Sequence, residues 1–139
     1  MDRGHPRNPP TRPLVLIVEG HEDTRAMYAF ALFAVGFDVV ALEDGSEAFR
    51  RASEIHPDII VADLRMPSEL RVFLESLKQS PRTRDIPIVA MSGDVPRSVQ
   101  ERVEHEGLVA FFPKPCLPDE LAVALRQVLA RDACVRVRP

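Results

Sequence analysis

The stretch Pro57-Asp58-Ile59-Ile60-Val61-Ala62-Asp63-Leu64-Arg65-Met66-Pro67 decides the fold. Ile59 to Ala62 form an apolar, β-branched run too short for a helix. It reads as a strand buried on both faces, opened by Pro57 and closed by Asp63. Open parallel sheets bind ligands at the carboxyl ends of their strands, so a carboxylate there is desolvated on one side and open to a ligand on the other. The plainer alternative is that Asp63 caps a loop. The neighbouring segments decide between the two.

Toward the N-terminus, Leu14-Val15-Leu16-Ile17-Val18 is a second continuous aliphatic run, and it too ends in a carboxylate, Glu19. Either Asp23 or Thr24 can cap the helix that follows to about Val35, with Met27, Phe30, Ala31 and Ala34 as its apolar face and Gly36 as its stop. Phe37 to Leu42 is a short strand. Asp44, with Glu47 three residues on, resembles a capping box for a helix to about Ile55.

Toward the C-terminus, Phe73, Leu74 and Leu77 fit a short amphipathic helix from about Glu69, and a turn over residues 80–85 leads into Ile86 to Met91, a strand ending at Ser92. Val95, Val99 and Val103 give the next helix a thin apolar stripe. Leu108 to Phe112 is a fifth strand, followed by Pro113-Lys114-Pro115. Pro118 then opens an amphipathic helix through Leu121, Leu125 and Val128 to about Arg131. Five strands alternating with five helical patterns imply right-handed crossovers and an α/β fold with a doubly wound, five-stranded parallel sheet.

The 139 residues fit one domain. Residues 1–13, rich in proline and arginine, are expected to be a disordered tail; residues 14–131 form the domain, and 132–139 form a C-terminal tail with no room for an output domain. A net charge of −3 without a basic run predicts no nucleic-acid partner, and no apolar stretch approaches the roughly 20 residues that span a bilayer. Residues 1–13 carry basic residues but do not read as a secretory signal, so none is expected. Cys116 and Cys134 lack metal-site spacing and suit a reducing cytoplasm, so the expected location is cytoplasmic.

Glu19, Asp63, Ser92 and Lys114 each fall just beyond the carboxyl end of an expected strand, gathering two carboxylates, a hydroxyl and an ammonium at one sheet edge. The chain has only two lysines, and Lys114 stands between prolines at a strand end, not on a helix face as Lys78 does. Two acids suit Mg²⁺, while a lysine and a hydroxyl suit phosphoryl oxygens. Asp63 is then a candidate nucleophile that forms an acyl phosphate. The competing reading is a plain ion pair between Lys114 and Asp63.

Over about residues 13–131 the sequence resembles the receiver domain of two-component response regulators. The resemblance is carried by residues 14–19, Asp63-Leu64-Arg65-Met66-Pro67, Ile86 to Ser92, and Phe112-Pro113-Lys114-Pro115. It implies a flavodoxin-like strand order 2-1-3-4-5 with five helices. It further implies that Asp63 accepts a phosphoryl group from a histidine kinase or phosphotransfer protein. Mg²⁺ would be held by Glu19, Asp63 and the backbone carbonyl of Arg65, while Ser92 and Lys114 contact the phosphoryl group. Phe111 matches an aromatic position whose rotamer couples to Ser92. The function so implied is a stand-alone receiver, a phosphoprotein of signal transduction that acts through a downstream protein partner and is at most an enzyme toward itself.

Two departures touch the site. The family usually has two consecutive acids after the first strand, and the second is Gly20 here, with His21 and Glu22 as nearby substitutes. The loop after Pro67 is one residue shorter and lacks the common glycine. The Gly20 departure supports an alternative, a degenerate receiver that binds partners without phosphorylation. A haloacid dehalogenase type of hydrolase needs a second acid where Arg65 stands, and Glu19-Gly20-His21 opens no dinucleotide fingerprint.

Overall fold

Aliphatic runs with no polar face need cover on both sides, and these strands receive it. A computed structural model describes residues 12–63, 67–92, 110–113 and 116–137; of residues 67–70, 92, 110, 111, 113 and 132–137 it describes the backbone alone. The elements are β1 (Leu14–Glu19), α1 (Glu22–Ala34), β2 (Asp38–Leu42), α2 (Gly45–Ile55), β3 (Ile59–Asp63), α3 (Pro67–Gln79), β4 (Ile88–Ser92), β5 (Ala110–Pro113) and α4 (Pro118–Val137). All pairings are parallel, in the order β2-β1-β3-β4-β5. This is the expected doubly wound sheet. The expected helix around Val95 to Val103 lies outside the described residues.

Successive strand residues point to opposite faces, so each buried strand feeds two cores. Leu16, Val18, Ile60, Ala62, Ile88 and Ala90 pack under α2 and α3 with Ala48, Ala52, Phe73, Leu74 and Leu77. Val15, Ile17, Ile59, Val61, Val89 and Met91 pack under α1 and α4 with Tyr28, Leu32, Leu121, Leu125 and Val128. Asp58 sets the register of β1 against β3: its carboxylate accepts from the Leu14 amide at 2.7 Å, and its own amide donates to Leu14 O at 2.9 Å.

The face of α1 differs from expectation. Tyr28 and Leu32 are the buried residues, whereas Met27, Phe30 and Ala34 face outward. Between Arg25 and Asp38 the chain has no charged residue, so apolar periodicity offers two faces and nothing marks the outer one. Leu32→Ala should therefore cost about 2–5 kcal/mol, and Phe30→Ala no more than about 0.5 kcal/mol despite removing more carbon. Denaturant unfolding of both variants checks this ranking; a larger loss at Phe30 would overturn it.

The tail boundaries also move. Arg12 pairs with Asp38 at 3.0 Å and donates to Phe33 O and Phe37 O, and the Asp38 amide donates to Pro13 O, so residues 12 and 13 are tied into the fold. Arg126 donates to Val35 O. These two arginines satisfy carbonyls at the end of α1, whose own last turn has no basic residue. Gly36 follows with φ +112°, a backbone conformation that favours glycine; the nearest atom to a Cβ built there is the flexible tip of Arg126, so backbone conformation and not space sets the requirement. At the other end of the chain, α4 runs on to Val137 instead of stopping near Arg131. Residues 132–137 contain no glycine or proline to break it, although the apolar stripe has ended.

Caps follow the sequence in part. Asp44 caps α2 by accepting from the Glu47 amide at 3.0 Å. That bond, with a smaller contribution from the Ser46 hydroxyl, holds the Asp44 carboxyl below the usual carboxylate range. Leu117 offers no side-chain cap to α4, but Glu120 accepts from its amide at 3.1 Å, the reverse half of a capping box.

Candidate functional site

The parallel register brings the two strand-end acids together. Glu19 on β1 is the ladder partner of Asp63 on β3, so adjacent strands about 4.8 Å apart present neighbouring carboxylates. Both are buried, with Glu19 3% and Asp63 9% exposed. On the far side of β3, Asp63 is paired with Met91, and Ser92 is the next residue, the last of β4. Ser92 in turn is the partner of Pro113, the last residue of β5. Glu19, Asp63 and Ser92 therefore end three contiguous strands at one sheet edge. Phe111 lies in β5 opposite Ala90. Lys114 and Arg65 fall outside the described residues.

The loop after Glu19 folds back on that residue. Glu19 Oε2 accepts from the His21 amide at 2.9 Å, and Arg25 donates to the Glu19 carbonyl at 2.8 Å. His21 is the N-cap of α1, its Nδ1 accepting from the Thr24 amide at 3.2 Å and lying 3.0 Å from Thr24 Oγ1. This replaces the expected cap at Asp23 or Thr24. Preference for short polar side chains pointed to those residues; the better signal was the acidic pair Glu22-Asp23, which belongs inside a first turn and so puts the cap before it. With Nδ1 engaged in the cap, that nitrogen is not available as a metal ligand.

Gly20 stands between these groups. A Cβ built there would meet only Glu43 O, at 3.9 Å, which is ordinary contact, and its φ does not require glycine. Neither space nor backbone explains the missing acid. Among the described residues no group of three or more His, Cys, Asp or Glu is placed to hold a metal ion. The donor set is two carboxylates. That set fits Mg²⁺, a hard cation commonly held by one or two carboxylates with water and phosphate oxygens completing its shell.

Cys116 lies just before α4. Burial, and secondarily the charge of Glu120, push its thiol up, away from the nucleophilic thiolate. Its carbonyl accepts from the Tyr28 hydroxyl, tying the approach to α4 onto α1. Among the described residues no helix is long and apolar enough to cross a membrane.

Comparison with known proteins points to one family for this chain. The family model described as the response regulator receiver domain matches residues 15–126. The polar-differentiation response regulator DivK of Brucella ovis is 32% identical over 103 residues, covering 73% of this chain and 83% of DivK. The phosphate regulon transcriptional regulatory protein PhoB of Escherichia coli K12 is 31% identical over 118 residues, 84% of this chain and 52% of PhoB. The chain thus spans about half the length of the PhoB relatives that it matches.

Solved structures agree on the fold. The chemotaxis response regulator CheY4 of Vibrio cholerae superposes with a TM-score of 0.77 at 24% identity, covering 85% of this chain and 99% of that one. The receiver domain of a sensor histidine kinase from Pseudomonas aeruginosa, solved with magnesium in its active-site cleft, gives 0.76 at 22% identity, covering 86% and 98%. With its sheet order, its paired strand-end acids and a family match spanning most of its length, the chain belongs to the response regulator receiver domain family.

Proposed function

We propose that the chain is a phosphorylation-controlled receiver that accepts a phosphoryl group on Asp63 from a histidine kinase or phosphotransfer protein and signals through a partner protein in the cytoplasm. Receiver domains are signalling modules and not classical enzymes; the only catalysis assigned here is gain and loss of the chain's own phosphoryl group. The observation that carries the reading is the register, which sets Asp63 between Glu19 and the β4 end at Ser92. That DivK is matched over 83% of its length supports reading the chain as a receiver unit of that kind. The receiver unit is assigned to residues 14–131, with α4 continuing past it.

An Asp63 carboxylate oxygen attacks the phosphorus of a phosphohistidine. A P–O bond forms as the P–N bond breaks, and the electron pair and a proton go to the imidazole. Ser92 and Lys114 are assigned to the transferred oxygens, and Phe111 to the rotamer change that reports them. Glu19, Asp63 and the Arg65 carbonyl would hold Mg²⁺, which supplies positive charge to the phosphoryl oxygens.

Intact mass after incubation with acetyl phosphate, with and without Mg²⁺, tests the reading. One added phosphoryl group in the presence of the metal is expected. No gain at saturating Mg²⁺ would favour the second reading, phosphorylation-independent partner binding, for which the glycine at position 20 is the specific support.

A further inference from the structure

A helical segment that is apolar all round is ordinarily buried, yet residues 26–34 of α1 are buried on one side only. Its buried side is taken by Tyr28 and Leu32, while Phe30 is 77%, Phe33 58% and Met27 44% exposed. Asp23, Met27, Phe30 and Ala34 follow at spacings of four, three and four, so they form one outward stripe about 16 Å long. Phe33 and Ala26 flank it. The two phenylalanines alone present roughly 200–300 Å² of ring, and with Met27 and Val35 the patch is about the size of the largest that a typical monomer leaves in water, a size that often marks a functional surface.

The ends of this patch carry opposite charges. Glu22 and Asp23 are exposed at its N-terminal end. At its C-terminal end, Arg126 is exposed and donates to Val35 O, and Arg12 lies 4.5 Å over the Phe33 ring while also pairing with Asp38. A surface that is apolar in the middle, acidic at one end and basic at the other complements itself when turned end for end.

We infer that α1 is a self-association surface, through which two copies of this chain pair with their α1 helices antiparallel about a two-fold axis. An axis between residues 28 and 29 sets Met27 of each copy against Phe30 of the other, a favourable sulfur–aromatic contact. The same axis brings Asp23 to the end marked by the two arginines. A parallel pair would oppose like charges at both ends. The pairing buries on the order of 1,000 Å² in total, at the low end for a specific interface, so the dimer is weak and depends on concentration. The inference is independent of the phosphorylation reading.

Sedimentation of the full chain from about 10 µM to about 1 mM, the range in which so small an interface operates, tests it. A reversible monomer–dimer equilibrium is expected. Phe30→Glu should raise its dissociation constant at least about tenfold, because the substitution enters a two-fold interface twice. Circular dichroism should show the same fold, since Phe30 is mostly in water. The double variant Glu22→Lys with Asp23→Lys separates the two orientations: it weakens an antiparallel pair severalfold, but leaves a parallel pair unchanged because like charges would still face like. A chain that stays monomeric throughout, or a dimer indifferent to Phe30→Glu, overturns the proposal. A dimer indifferent to the charge reversal overturns the antiparallel arrangement.

Discussion

Asp63→Asn is expected to abolish phosphoryl uptake from acetyl phosphate, changing a stoichiometric modification into none. Asp63 is flanked on both sides, by Glu19 through the β1 ladder and by the end of β4, whereas Glu19 lies one strand further from Ser92. The Glu19 carboxylate is also turned to the loop, where it accepts from the His21 amide. Asparagine keeps the shape of aspartate and removes the anionic oxygen, so the nucleophile is lost without a cavity. Thermal unfolding should therefore change little while the mass gain disappears. Glu19→Gln, in contrast, should slow labelling and raise the Mg²⁺ it requires without abolishing it, because it removes a metal charge and not the acceptor. If Asp63→Asn is still labelled as fully as the parent chain, the phosphoacceptor is another residue.

The strands were legible because aliphatic runs closed by a carboxylate or hydroxyl have few other structural uses, and the placement of Glu19, Asp63 and Ser92 at one edge follows from that pattern. What could not be read were features set by contacts distant in sequence. The buried face of α1 is chosen by the sheet and α4, since residues 26–35 present apolar side chains in every direction. Composition assigned Arg12 to a tail, but one guanidinium reaches Asp38, Phe33 O and Phe37 O, acceptors more than twenty positions away. The end of α4 was misplaced because periodicity reports where packing stops, whereas a helix continues until a breaker or the chain end. His21 as a cap was hidden by the stronger average preference for aspartate and threonine.

Gly20→Asp is expected to tighten Mg²⁺ binding by on the order of tenfold to a thousandfold. Opposite unit charges about 4 Å apart interact by roughly 4 kcal/mol at an effective dielectric of 20, and part of that is spent on displacing water from the ion, which leaves the stated range. The backbone will accept the change: the new Cβ meets only Glu43 O at 3.9 Å, and no left-handed φ is involved. His21 does not already supply the missing ligand through Nδ1, which caps α1. A calorimetric Mg²⁺ titration of both proteins reads the affinity directly, and acetyl phosphate labelling at limiting metal should accelerate in parallel. Gly20→Asn separates charge from coordination, since it offers an oxygen without the negative charge and should recover only a small part of the gain. Equal affinities for the parent chain and Gly20→Asp would mean that Glu22 or water already completes the site, and the glycine would then carry no consequence for metal binding.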